Sequence, residues 1–139
     1  MPYIDGKGPS VVVALGGNAL VNTPAEQLEL VKNTARHIVD MVNDGVNVVV
    51  THGNGLQVGM INNAFDVASK DPSAKVPAMP FPECGAMSQG CIGYHLTQAI
   101  LGELKHRGIM RSAVNIVPKP SSTPTTRHSR IPLSRWARS

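Results

Sequence analysis

The chain alternates two patterns of apolar residues. Two short runs, VVVAL at residues 11–15 and VNVVV at 46–50, are almost wholly apolar and rich in β-branched residues, without the one-in-two alternation of a half-solvated strand. Such runs predict strands covered on both faces, as in a parallel sheet. Between them Leu28, Val31, Ala35, Ile38, Val39 and Val42 recur at helical spacing, behind Thr23 as N-cap and Pro24 as first helical residue. Asp44 and Gly45 close that helix, so the unit is strand, glycine turn, helix, strand: a parallel crossover.

Helical spacing resumes after the second run with Val58, Ile61, Ala64, Phe65 and Ala68, until KDPSAKVPAMPFPE breaks it with four prolines. Met87, Ile92, Leu96, Ala99, Ile100 and Leu104 then trace another helical stripe ending at Gly108, and AVNIV at 113–117 predicts a third strand. There is no internal repeat. The order predicts an α/β fold, a three-layer sandwich around a largely parallel sheet, with its chemistry in the loops at the strand carboxyl ends.

Two glycine turns occupy those positions. GGN at 16–18 and HGNG at 52–55 each follow an apolar run and precede a helical pattern. Glycine lets backbone N–H groups converge on an anion, and a following helix N-terminus adds partial positive charge. Asn18 and Asn54 can donate amide hydrogens to the same oxygens. Two such turns side by side suit the two sides of a transferring phosphoryl group, whereas either turn alone is equally well a simple chain reversal. Neither is a P-loop, and GGNALV is not a dinucleotide-binding fingerprint.

Composition narrows the class. At 139 residues the chain fits one domain, with 42% hydrophobic and 16% charged residues. No apolar run approaches the roughly 20 residues of a membrane span, and the N-terminus lacks the pattern of a secretion signal, so a cytoplasmic location is expected. Cys84 and Cys91 match no zinc or redox spacing and fit reduced thiols. Cys84 reads as a buried thiol rather than a nucleophile, His52 as a structural hydrogen-bonder rather than a base, and Met79 and Met87 as packing residues. The net charge of +4 belongs to one end: residues 118–139 hold Lys119, Arg127, Arg130, Arg135 and Arg138 and no acid, leaving 8 basic against 9 acidic residues elsewhere. A nucleic-acid or partner-binding module would rest on that tail, where lone Trp136 is the one aromatic and no recognised module occurs.

VVVALGGNAL, THGNGLQVG and CGAMSQGCIGY together resemble the carbamate kinases of the amino-acid kinase family, in the family's order. Leu56 stands where that group usually has proline, and Cys91 where an aromatic is common. The resemblance implies transfer of the ATP γ-phosphoryl group to carbamate, or from carbamoyl phosphate to ADP in arginine breakdown, with Mg²⁺ on the nucleotide and a homodimeric enzyme. It implies that Gly16, Gly17 and Asn18 stabilise phosphoryl oxygens while Gly53, Asn54 and Gly55 line the acceptor site. Ser88 and Gln89 would reach the acceptor pocket, although a helix N-cap accounts for Ser88 equally well. No metal ligand is identified. Family members are about twice this length or more and bind nucleotide mainly through their carboxyl half, so little turnover is expected of the 139 residues alone. The competing enzyme reading is a relative acting on acetylglutamate or a nucleoside monophosphate.

The resemblance covers residues 1–117 as an amino-terminal part, which implies an incomplete form of the family's three-layer sandwich, and leaves 118–139 outside it. Carbamate kinases continue after the third strand with a segment of the form D-P-x-D-P-A-F-x-x-P-T-K-P-x-G-P-F. Read from the third base of each preceding codon, synonymous codons from Ser121 onward permit L-V-D-P-D-D-P-A-F-K-N-P-T-K-P-V-G-P-F. One position allows no choice: TGG for Trp136 followed by the GC of Ala137 gives glycine where the pattern has it. A frame shift at or just after Val117 is therefore expected in preference to a native disordered tail. Sequencing the DNA across codons 115–139 tests this; a displaced frame that does not spell the segment refutes it.

Overall fold

The computed structural model describes residues 8–16 and 24–118. Five elements follow in chain order: β1 (Ser10–Leu15), α1 (Pro24–Asn43), β2 (Asn47–His52), α2 (Gly55–Ser69) and α3 (Phe81–His106). The two apolar runs do form strands, and they pair in parallel from Ser10 with Asn47 to Leu15 with His52. Helix α1 is the crossover between them. It ends where Gly45 takes φ +85°, a left-handed conformation open to glycine at no steric cost.

Alternate residues of each strand face opposite sides of the sheet. Leu15, Val48 and Val50 pack inward on α1 and α3, against Val31, Ala35, Ile38 and Val39 of the first helix and Ile92, Leu96, Ile100 and Leu104 of the other. Ile92 and Val39 are wholly buried. Helix α3 is the backbone of this core: its buried residues Cys84, Ser88, Ile92, Leu96, Ile100 and Leu104 fall at every fourth position, one ridge that winds slowly round the helix. At the far end Arg107 ties the two helices, donating to Asp40 and to the Arg36 carbonyl of α1 and to Glu103 of its own helix. Its hydrogen bonds to Asp40 and then Glu103 hold the guanidinium pKa above its ordinary value.

Several expectations are corrected. Coverage of the strands on both faces is one: the described residues supply sheet and helices, an incomplete form of the predicted α/β sandwich, and on the opposite face Val12 is 66% and Val49 55% exposed. The β-branched runs mark apolar strands correctly, but burial on both faces needs a second covering layer. Residues 113–117 form no strand, because a strand exists only through a hydrogen-bonded neighbour and this segment has none among the described residues. It lies instead across a groove from β2, with Ala113 on the core and the Asn115 amide against Gly93 of α3. Leu28 and Met87 are exposed, although both sit on the predicted apolar stripes. Thr23, the predicted N-cap of α1, lies outside the described residues. Helix α3 starts at Phe81, earlier than the prolines suggest: Pro80 caps it in an extended conformation and Pro82 occupies the first turn, where a missing N–H costs no hydrogen bond.

Packing at α3 yields two predictions. Ile92→Ala should lower the unfolding free energy by about 2–5 kcal/mol in urea denaturation, the range for emptying a filled core site, and by more than Arg107→Ala does. A Cβ at Gly93 would overlap the Asn115 amide, whereas one at Gly102 meets nothing within 4 Å. Gly102→Ala should therefore stabilise by up to about 1 kcal/mol through helix propensity, while Gly93→Ala should gain less and speed proteolysis after residue 113, because the Asn115 amide must first be displaced.

Candidate functional site

Because Leu15 pairs with His52, the two strands end at the same level and both glycine turns leave from one edge of the sheet. The ladder continues one step further: the Gly53 N–H donates to the Leu15 carbonyl at 3.2 Å, so the second turn is tied to the start of the first. Gly16 lies beside it. Gly17 and Asn18, the rest of the first predicted turn, fall outside the described residues.

The glycines at this edge are not explained by backbone conformation. Among the described glycines only Gly45 and Gly108 have the left-handed φ, so Gly16, Gly53 and Gly55 adopt angles open to any residue. A Cβ at Gly16 or Gly55 would meet nothing within 4 Å. What a side chain would obstruct at these positions is space outside the protein, next to backbone N–H groups.

Asn54 is the N-cap residue of α2, with φ −144° and ψ 15°, but its side chain makes no capping bond. It reaches sideways instead: Nδ2 donates to the Ser88 hydroxyl of α3 at 2.7 Å, and that hydroxyl donates to the Gly85 carbonyl at 2.7 Å. Asn54 is half-buried and Ser88 fully buried. The N-cap role for Ser88 is thus corrected: it sits in the second turn of α3, seven residues past Phe81 in the chain, and serves as the floor under Asn54. The first turn of α2 carries no acidic side chain, so its exposed N–H groups keep their positive character.

The remaining sequence-derived positions are less central. Gln89, half-buried, lines the groove between β2 and residues 111–118 together with His52, rather than bonding to Asn54. His52 Nδ1 lies 3.2 Å from the Gly53 carbonyl, a local backbone contact. Cys84 is buried, its thiol 3.9 Å from the Met79 carbonyl. Among the described residues no group of three or more His, Cys, Asp or Glu side chains is placed to hold a metal ion, and no helix is long and apolar enough to cross a membrane. The apolar stripe missed Gly85 and the inward role of Ser88. The signal was the four-residue spacing of Cys84, Ser88 and Ile92, which places a small polar residue on the buried face.

Comparison with known proteins gives this geometry a context. The chain is 51% identical over 107 residues to a carbamate kinase of Staphylococcus haemolyticus, across 77% of this chain and 34% of that protein. It is 50% identical over 107 residues to a carbamate kinase of Staphylococcus epidermidis, with the same coverage. Among solved structures, carbamate kinase from Giardia lamblia bound to AMP-PNP superimposes with a TM-score of 0.67 at 37% identity, over 75% of this chain and 37% of that one. A protein from Aeropyrum pernix K1 gives a TM-score of 0.63 at 36% identity, over 72% of this chain and 32% of that one. The chain thus spans about a third of the length of the curated relatives it matches. The sequence profile of the amino acid kinase family matches residues 9–123, most of the chain, and the chain belongs to that family.

Proposed function

We propose that this chain carries the acceptor side of a phosphoryl-transfer site acting between carbamoyl phosphate and ADP, or carbamate and ATP. The observation that carries the reading is the pair of turns leaving one sheet edge, where neither φ nor packing requires a glycine at Gly16 or Gly55. With the Gly53 N–H tied to Leu15, the N–H groups that open α2 suit an anion that must come close. The first turn, Gly16 with Gly17 and Asn18, would hold the phosphoryl oxygens, and Gly53, Asn54 and Gly55 the carbamate. Similarity to carbamate kinases of two staphylococci and of Giardia supports that choice of substrate over acetylglutamate or a nucleoside monophosphate.

The chemistry asks little covalent help of the protein. Carbamate is already a charged oxygen nucleophile, so no base is needed, in keeping with a structural rather than catalytic His52. Backbone donors hold the reacting groups in line and stabilise charge spreading over the equatorial oxygens. Nucleotide is bound mainly by segments outside these residues, and Mg²⁺, when present, neutralises the nucleotide's phosphates rather than resting on side chains described here. On this reading residues 1–117 are the amino-terminal part of the kinase domain and 118–139 lie outside it. The same reading makes the whole enzyme a cytoplasmic homodimer of arginine breakdown.

Titrating the ¹⁵N-labelled chain tests the substrate. Carbamoyl phosphate should shift the backbone amides of Gly53, Asn54 and Gly55 saturably, while acetylglutamate and uridine monophosphate should not. Asn54→Ala should weaken the interaction about tenfold, as expected for loss of one well-placed polar contact. Equal or stronger shifts with either competitor, or none with carbamoyl phosphate, would sink the assignment.

A further inference from the structure

We propose that Ser88 is a positioning residue: it fixes which end of the Asn54 amide faces the ligand, and so sets a preference for ligands that carry an N–H group. The preference rests on the carbamoyl phosphate reading above; the orientation does not.

The orientation follows from proton bookkeeping. A backbone carbonyl can only accept, so the short contact between Ser88 Oγ and the Gly85 carbonyl consumes the single hydroxyl proton of Ser88. Oγ is then left with lone pairs. The Asn54 atom 2.7 Å away must therefore be the –NH₂ nitrogen, because the amide oxygen in that place would set lone pair against lone pair. Ser88 is fully buried, so no water competes for these bonds. Turning the amide over would break one bond and leave a buried acceptor facing another, which is costly.

With nitrogen held against α3, Oδ1 occupies the opposite corner of the planar amide, directed away from Ser88. An N-cap asparagine ordinarily spends that oxygen on a backbone N–H of its own helix, yet Asn54 makes no such bond. The oxygen thus remains an acceptor on the N-cap residue, beside the N–H groups that open α2, which are donors. That mixture is selective. An anion alone would be served by donors throughout, whereas the carbamoyl group combines oxygens with an –NH₂ that can donate to Oδ1. Acetyl phosphate has nearly the same shape but puts a methyl group there, so its binding would leave Oδ1 desolvated and unpaired.

The test uses the 139-residue chain, Ser88→Ala and Ser88→Thr, the last keeping the hydroxyl. In ligand-free protein the Asn54 side-chain ¹⁵NH₂ signals, identified by their absence in Asn54→Asp, should show one proton shifted downfield and slowed in solvent exchange. Ser88→Ala should return them to values of an exposed asparagine with the backbone spectrum otherwise retained, and Ser88→Thr should restore them. Affinity for carbamoyl phosphate over acetyl phosphate, read by the same amide titration, should exceed unity by about three- to tenfold in the parent chain, the worth of one hydrogen bond. It should fall toward unity in Ser88→Ala. Unchanged side-chain signals in Ser88→Ala overturn the orientation, and an unchanged affinity ratio overturns the selectivity. Binding of neither phosphate by the parent chain overturns the functional reading and the selectivity with it, while the side-chain signals still decide the orientation.

Discussion

The arrangement depends on one register, Leu15 opposite His52. Parallel strands can begin and end at different heights; here they end together, and one further hydrogen bond, from the Gly53 N–H to the Leu15 carbonyl, carries the ladder into the loops. A slip of one residue would turn Val48 and Val50 from the helices toward solvent, so the apolar pattern of β2 holds the register. The turns are neighbours because hydrophobic burial elsewhere in the sheet leaves the chain no other alignment.

Helix α3 converts that alignment into a supported site. Its four-residue stripe meets α1 and the inner sheet face along most of its length, and near its amino-terminal end the same stripe presents Ser88 to Asn54. Core packing and loop support are thus performed by one winding ridge of one helix. A rigid regular element below a glycine loop suits chemistry that relies on placement, since the loop itself has no side-chain packing to hold it.

Much of this was legible in the sequence, and the failures share a cause. Both strands, the crossover helix and the second turn were visible because each is specified locally, by β-branched runs, by spacing and by Gly45 or Pro24. The identity of the family was visible in three short motifs. What escaped depended on neighbours. Residues 113–117 have the composition of a strand without a partner to pair with. Val12 and Val49 are apolar on a face that no described element covers. Leu28 and Met87 counted as core because periodicity cannot tell the centre of a helix face from its margin. Ser88 was the reverse case, a polar residue at the centre of that face, whose hydroxyl is satisfied by Gly85 and Asn54.

The parallel pairing has a kinetic corollary. Ser10 can meet Asn47 only after the whole of α1 has been laid back across the sheet, so the strand contacts are non-local and carry the entropy of closing a long loop. The helices, by contrast, are built from contacts within a few residues. Helix formation can therefore run ahead, but the adjacency of Gly16 and Gly53 comes into being only when the two strands pair. Any partly folded form in which they have not paired has no site at all.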